Sequence, residues 1–145
     1  MAALLDINVL LPLVYGAHVH HPAALSWLHT VQADGELILC RTSQLGLLRL
    51  LNNPAAMGAD VQNGTEAWET WDALLSDGRF RYADEPETFE AHFRLLTHAL
   101  ACQPKRWQDA RLAAFALATD MELVTFDAGF RSFPGLRHRI LTPPA

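Results

Sequence analysis

The sequence predicts an α/β protein, an α/β/α sandwich in which a mainly parallel central sheet is covered by helices on both faces. Two observations carry the prediction. Short apolar runs alternate with amphipathic helical segments along almost the whole chain, the pattern of crossover-connected parallel strands. Two of those runs end directly in an aspartate, Asp6 and Asp127, and open α/β sheets place their ligands at the carboxyl edge of the strands. The 145 residues, 50% of them hydrophobic, suit one globular domain, and no repeat or low-complexity linker divides residues 1–145.

Ala2 to Leu5 is too short for a helix and is compatible with a buried strand, and Asn8 to Tyr15 reads as a helix with Pro12 in its first turns. Pro22 can occupy a first-turn position, and Ala24, Trp27, Leu28 and Val31 follow helical spacing up to Asp34-Gly35. Glu36 to Cys40 is a second strand, followed by Thr42 or Ser43 as N-cap of a helix carrying Leu45, Leu47, Leu48 and Leu51, which stops at Asn52-Asn53-Pro54. Residues 55–64 read as a loop. Asn63 with Glu66 three residues later opens a helix through Trp68, Trp71, Leu74 and Leu75, closed by Asp77-Gly78. Phe80 to Tyr82 is a short strand. A helix from Glu87 runs toward Pro104, another opens at Asp109 and extends to Ala118, Glu122 to Phe126 is a strand, and Arg139 to Leu141 is the last.

Eleven basic against sixteen acidic residues give a net charge of −5, which argues against general electrostatic capture of nucleic acid. The charge is uneven: residues 105–145 carry six basic and four acidic side chains. That basic tail is either a solvated face or a phosphate-contacting patch. Cys40 and Cys102 are too few for a disulfide scaffold and lie in no metal-ligand spacing, which points to a reducing compartment. No charged leader precedes an apolar stretch, and the longest apolar run, Val9 to Tyr15, is far too short to span a bilayer. The expectation is a soluble, cytoplasmic protein with no membrane partner.

On this frame Asp6 and Asp127 follow strands, and Asp109 sits in the first turn of a helix leaving the same edge. Each has a structural alternative: Asp109 as a helix-dipole partner, Asp127 as a turn or N-cap residue, Asp6 as a cap. Together they would repel, and a hard divalent cation such as Mg²⁺ or Mn²⁺ relieves that repulsion. A cation so held suits hydrolysis of phosphate esters.

Three segments carry a resemblance: Leu4-Leu5-Asp6-Ile7-Asn8-Val9-Leu10, Asp109-Ala110-Arg111-Leu112-Ala113-Ala114, and Leu123-Val124-Thr125-Phe126-Asp127-Ala128-Gly129-Phe130. In order and spacing they resemble the signature segments of PIN-domain ribonucleases, and within them VapC-type toxins of toxin–antitoxin pairs. The resemblance implies a PIN-like sandwich, an endoribonuclease whose Asp6, Asp109 and Asp127 hold Mg²⁺ or Mn²⁺, and Asn8 and Thr125 as residues that orient those ligands. It implies an RNA substrate, a VapB-type antitoxin that occupies the acidic groove, and a homodimer. The chain departs from the family at Gln44, where a glutamate is usual. A neutral amide can ligate or position water but brings no charge and is no general base, and Glu36 lies at the opposite edge. Gln44 is kept among the candidate catalytic residues.

Arg111 is read either as an RNA-phosphate contact or as a partner of Asp127, and Arg49 as structural. His18, His20 and His21 precede Pro22 with no carboxylate or cysteine nearby in sequence, so they are not taken as a metal site. The Trp68/Trp71 stripe reads as core, or, where exposed, as a partner surface. A haloacid-dehalogenase-like phosphatase is disfavoured because Asn8 stands where a second aspartate is needed. A PIN-shaped binding module without turnover, its activity lost through Gln44, is the other alternative.

Overall fold

The computed structural model describes residues 2–142. Five strands, β1 (Ala3–Leu5), β2 (Leu37–Leu39), β3 (Phe80–Tyr82), β4 (Glu122–Thr125) and β5 (His138–Ile140), form one sheet in the order β3-β2-β1-β4-β5, every pair parallel. The α-helices among the described residues are α1 (Ile7–Val14), α2 (His21–Leu28), α3 (Arg41–Leu51), α4 (Pro54–Met57), α5 (Gly64–Ser76), α6 (Phe89–His98) and α7 (Arg106–Thr119).

Alternate residues of each strand face opposite layers. Ala3, Leu5, Leu37, Leu39, Phe80 and Val124 pack with Val9, Leu10, Leu47 and Trp71, which belong to α1, α3 and α5. Leu4, Ile38 and Leu123 pack on the other face with Leu96 of α6 and the Ala110-to-Ala116 run of α7. The expected sandwich is therefore present. Strand order reverses direction between β1 and β4, the switch point at which such sheets open a crevice.

Several element bounds differ from expectation for local reasons. Pro12 is the sixth residue of the eight-residue α1, beyond the first turn that suits proline best, and His21 Nδ1 lies 2.7 Å from the Pro12 carbonyl oxygen. α2 ends at Leu28, short of Val31. α3 begins earlier than the Thr42/Ser43 caps: Cys40 takes the cap position, and Ser43 acts from inside the helix, its Oγ accepting from the Cys40 N–H at 2.8 Å. Residues 54–60 are helical turns rather than loop, because Asn53 caps Ala55 and Pro54 suits a first turn. The Asn63/Glu66 capping box is present at α5, with reciprocal contacts of 2.9 and 3.0 Å. α6 starts at Phe89 rather than Glu87, and α7 three residues before Asp109.

α1 and α3 approach closely at Gly46. A Cβ there would lie 2.1 Å from Ile7 Cδ1 and 2.6 Å from Cγ1, so two atoms of a β-branched side chain would have to move. Gly46→Ala is expected to lose about 1–2 kcal/mol net, the overpacking exceeding the helix-propensity gain, as read by urea unfolding.

Candidate active site

The chain leaves β1 straight into α1, and Asp6 at that junction caps the helix: its Oδ1 accepts from the Ile7 N–H at 2.6 Å. Its Oδ2 accepts from the Thr125 hydroxyl at 2.7 Å. Thr125, fully buried at the end of β4, is a hub. Its oxygen accepts from the Asp127 N–H at 2.9 Å and lies 3.2 Å from Asn8 Nδ2, while Asn8 Oδ1 accepts from the Phe126 N–H at 3.1 Å. Asn8 and Thr125 thus tie the ends of β1 and β4 together across the switch point. Asp127 follows directly and caps the short 3-10 turn Ala128–Ser132, its Oδ1 accepting from the Gly129 N–H at 2.8 Å.

Asp109, in the first turn of α7, faces the same crevice and is held by Arg106 Nη1 at 3.3 Å. The Asp109 and Asp127 charges act on Asp6, and the Asp127 charge acts on Asp109. Burial, 7% exposure for the residue, pushes the Asp6 carboxyl up to about 6; the Thr125 and Ile7 hydrogen bonds oppose this, and the charges of Asp109 and Asp127 add to it. The Asp109 carboxyl is also raised, by burial first, with Arg106 opposing and Asp127 adding. Two of the structural alternatives hold alongside convergence: Asp6 caps α1 and Asp127 caps the 3-10 turn, while Asp109, in the first turn of α7, pairs with Arg106.

The donor set fits a hard divalent cation: three carboxylates, one of them buried with an uncompensated charge, and no sulfur ligand. Among the described residues, however, no group of three or more His, Cys, Asp and Glu side chains is drawn together closely enough to hold an ion. Arg106 holds Asp109, and Asp127 is turned back on its own cap.

Gln44 is buried in the first turn of α3, and its Oε1 accepts from Arg41 Nη1; Arg41 in turn lies 5.4 Å over the Tyr82 ring. The amide oxygen therefore faces a guanidinium. Arg111 does not pair with Asp127; it pairs with Glu85 at 3.1 Å, because the outer face of α7 turns it toward the segment after β3. Arg49 is exposed and lines clefts beside Gly46. Trp71 is core, but Trp68 is 48% exposed, so the expected stripe divides.

Sequence reasoning places neither Arg106 nor the His18/His20 pair at this site. Arg106 reaches Asp109, the Gly129 carbonyl and Ser132 Oγ, with its guanidinium 4.4 Å over the Phe133 ring. It lies close to Asp127 as well, since a Cβ built on Gly129 would meet both Arg106 Nη1 and Asp127 Oδ1. His18 and His20 line a cavity that also contains Asn8 and Asp127. Only folding of the segment between α1 and α2 over the end of β4 brings them there.

The family model described as PIN domain matches residues 3–136. The chain is 42% identical over 142 residues to ribonuclease VapC41 of Mycobacterium tuberculosis, covering 95% of this chain and 97% of that one. It is 32% identical over 141 residues to ribonuclease VapC29 of the same organism, covering 93% and 92%. Among solved structures it is similar to the VapBC2 complex of Rickettsia felis bound to a promoter DNA fragment, with a TM-score of 0.69 and 16% identity, covering 98% of this chain and all of that one.

Proposed function

The chain belongs to the PIN-domain family, and from that premise we propose that it is a divalent-metal-dependent endoribonuclease, the toxin of a toxin–antitoxin pair. It cleaves RNA and is neutralised by a VapB-type antitoxin. The observation that carries the chemical part of the reading is the convergence of Asp6, Asp109 and Asp127 at the β1/β4 switch point.

Asp6, Asp109 and Asp127 would hold Mg²⁺ or Mn²⁺. Such an ion supplies positive charge for the scissile phosphate, the attacking water and the leaving oxygen. The chain's own part is to orient and to exclude. Thr125 and the Ile7 N–H fix both oxygens of Asp6, and Asn8 fixes Thr125 and the backbone before Asp127. Arg106 brings a cation to a mouth otherwise lined by acids, which suits a polyanionic substrate despite the net charge of −5. Gln44, anchored by Arg41, contributes an amide and takes no proton. In the reaction water attacks phosphorus, one ester P–O bond breaks and the leaving oxygen is protonated.

Residues 1–145 would act as one domain in the cytoplasm. No helix among the described residues is long and apolar enough to cross a membrane. Exposed Trp68, Leu45 and Trp107 supply apolar surface for a homodimer or antitoxin contact. Arg111, paired with Glu85 at the rim, is proposed as an RNA-phosphate contact once that exposed pair opens. Purified protein free of antitoxin is expected to cut total RNA into discrete fragments with Mg²⁺ or Mn²⁺, and to stop on addition of EDTA. Cleavage that persists in EDTA would overturn metal dependence, and intact RNA with either ion would favour the binding-module reading.

A further inference from the structure

The cavity that shares Asn8 and Asp127 with the acidic site has a volume of about 480 Å³ and a lining unlike that site. Its remaining walls are the rings of His18, His20 and Phe126 and the apolar side chains of Leu11, Pro12 and Leu50. Among the described residues no lysine or arginine lines it, so it lacks the cation that a phosphate site needs. It offers a flat aromatic ligand a good deal. His20 and Phe126 lie nearly parallel, 4.8 Å between centroids and 16° between planes, and His18 leans on His20 at 5.5 Å. One peptide link separates Phe126 from Asp127, so the stacked pair is held at a fixed offset from the carboxylate.

The polar groups of the cavity also point to a ligand. His18 Nδ1 is used, accepting from the His20 N–H at 3.0 Å. His20 Nδ1 is buried with no hydrogen-bond partner, and a buried polar atom without one is unusual in a folded protein. A histidine needed only for packing here could be an apolar ring at no such cost. Recognition of single-stranded RNA relies on splayed bases stacked against aromatic and histidine rings, with hydrogen bonds to their edges.

We infer that this cavity is a nucleobase subsite, in which an unpaired base of the RNA lies against the His20/Phe126 stack beside the phosphate at the aspartates. The inference rests on the RNA-cleavage reading and adds to it where the substrate strand runs. The strand crosses the switch point with its backbone over Asp109 and Asp127 and one base turned toward the α1–α2 segment. The subsite favours single-stranded or bulged RNA, since a paired base cannot enter.

The test uses a short single-stranded RNA carrying one 2-aminopurine, walked through successive positions, titrated with the full chain in Ca²⁺. Wild-type protein is expected to quench the fluorescence strongly at one position. His20→Leu, which fills the space without a ring, is expected to lose that quenching and to bind about tenfold more weakly, the order of one base stack. His20→Phe, which keeps a ring but has no ring nitrogen, is expected to retain the quenching and lose only the part of the affinity that Nδ1 supplies, and thermal unfolding of the two variants checks that each is folded. Absence of position-specific quenching by wild type, or equal quenching and affinity in His20→Leu, would overturn the subsite. Cleavage of the same RNA in Mn²⁺ reports separately on the ribonuclease reading, so either can fail alone.

Discussion

Asp6→Asn is expected to reduce metal-dependent RNA cleavage by about 10²–10³-fold while making the metal-free protein more stable at neutral pH. Both effects have one cause. Asp6 is buried, and its carboxyl is pushed from 3.8 to about 6, chiefly by burial. A carboxyl raised in the folded state binds its proton more tightly there than in the unfolded chain. Its contribution to stability is fully present below pH 4 and is lost as pH rises through about 6. The shift corresponds to about 3 kcal/mol of strain at pH 7 in the metal-free protein, as an order of magnitude. Asparagine removes the charge but sets an amide donor against Thr125, so a net gain of about 1–2 kcal/mol is expected. Urea unfolding in EDTA should show the variant ahead at pH 7.5 and the advantage vanishing near pH 4. Equal stability at both pH values would mean that the carboxylate is not strained, and the argument for a cation there would lose its physical basis.

Thr125→Val is expected to cost about 2–3 kcal/mol of stability and about 10–100-fold in cleavage, with no charge removed. Valine matches the shape of threonine at this fully buried position but has no hydroxyl. Asp6 Oδ2 then loses its donor, and the Asp127 N–H and Asn8 Nδ2 lose their acceptor. Thr125→Ser restores the hydroxyl and should recover most of the cleavage while leaving a small packing defect. Without that hydrogen bond, the Asp6 carboxyl should rise further, since the bond now opposes the effect of burial. Urea unfolding and the rate of RNA cleavage check the two effects together.

The fold was legible because its signals are local. Leu-Leu-Asp6 and Leu-Val-Thr-Phe-Asp127 show a buried strand and its carboxyl edge in one reading, and the Asn63/Glu66 box marks a helix start by chemistry alone. Three of the site's acids were visible for the same reason. The elements read wrongly turn on contacts the local pattern does not encode. Ser43 is a good cap residue, yet a buried cysteine three residues earlier takes the cap because β2 ends there. Residues 55–60 lack periodicity but curl because Asn53 and Pro54 start a turn. Arg111 reads in the sequence either as an RNA-phosphate contact or as a partner of Asp127, whereas the helix face turns it to Glu85. Arg106, Arg41 and the His18/His20 pair gain their meaning only from partners far away in sequence: Gly129 and Ser132, Tyr82, and Phe126.

Gln44 separates this chain from a fully acidic site, and the Arg41 contact changes what the substitution means. A guanidinium now faces the amide oxygen. The negative charge at the crevice is therefore carried by Asp6, Asp109 and Asp127, with Arg106 as their only cation in direct contact among the described residues.

Titration of the metal-free protein with Mn²⁺, followed by calorimetry or electron paramagnetic resonance, tests that assignment most directly. Wild-type protein should bind the ion at a saturable site, with a proton released below about pH 6 as the Asp6 carboxyl gives it up. Asp6→Asn and Asp109→Asn should each abolish that site while remaining folded. Saturable binding of unchanged affinity in a folded Asp6→Asn, Asp109→Asn, Asp127→Asn triple variant would place the ion elsewhere and contradict the account.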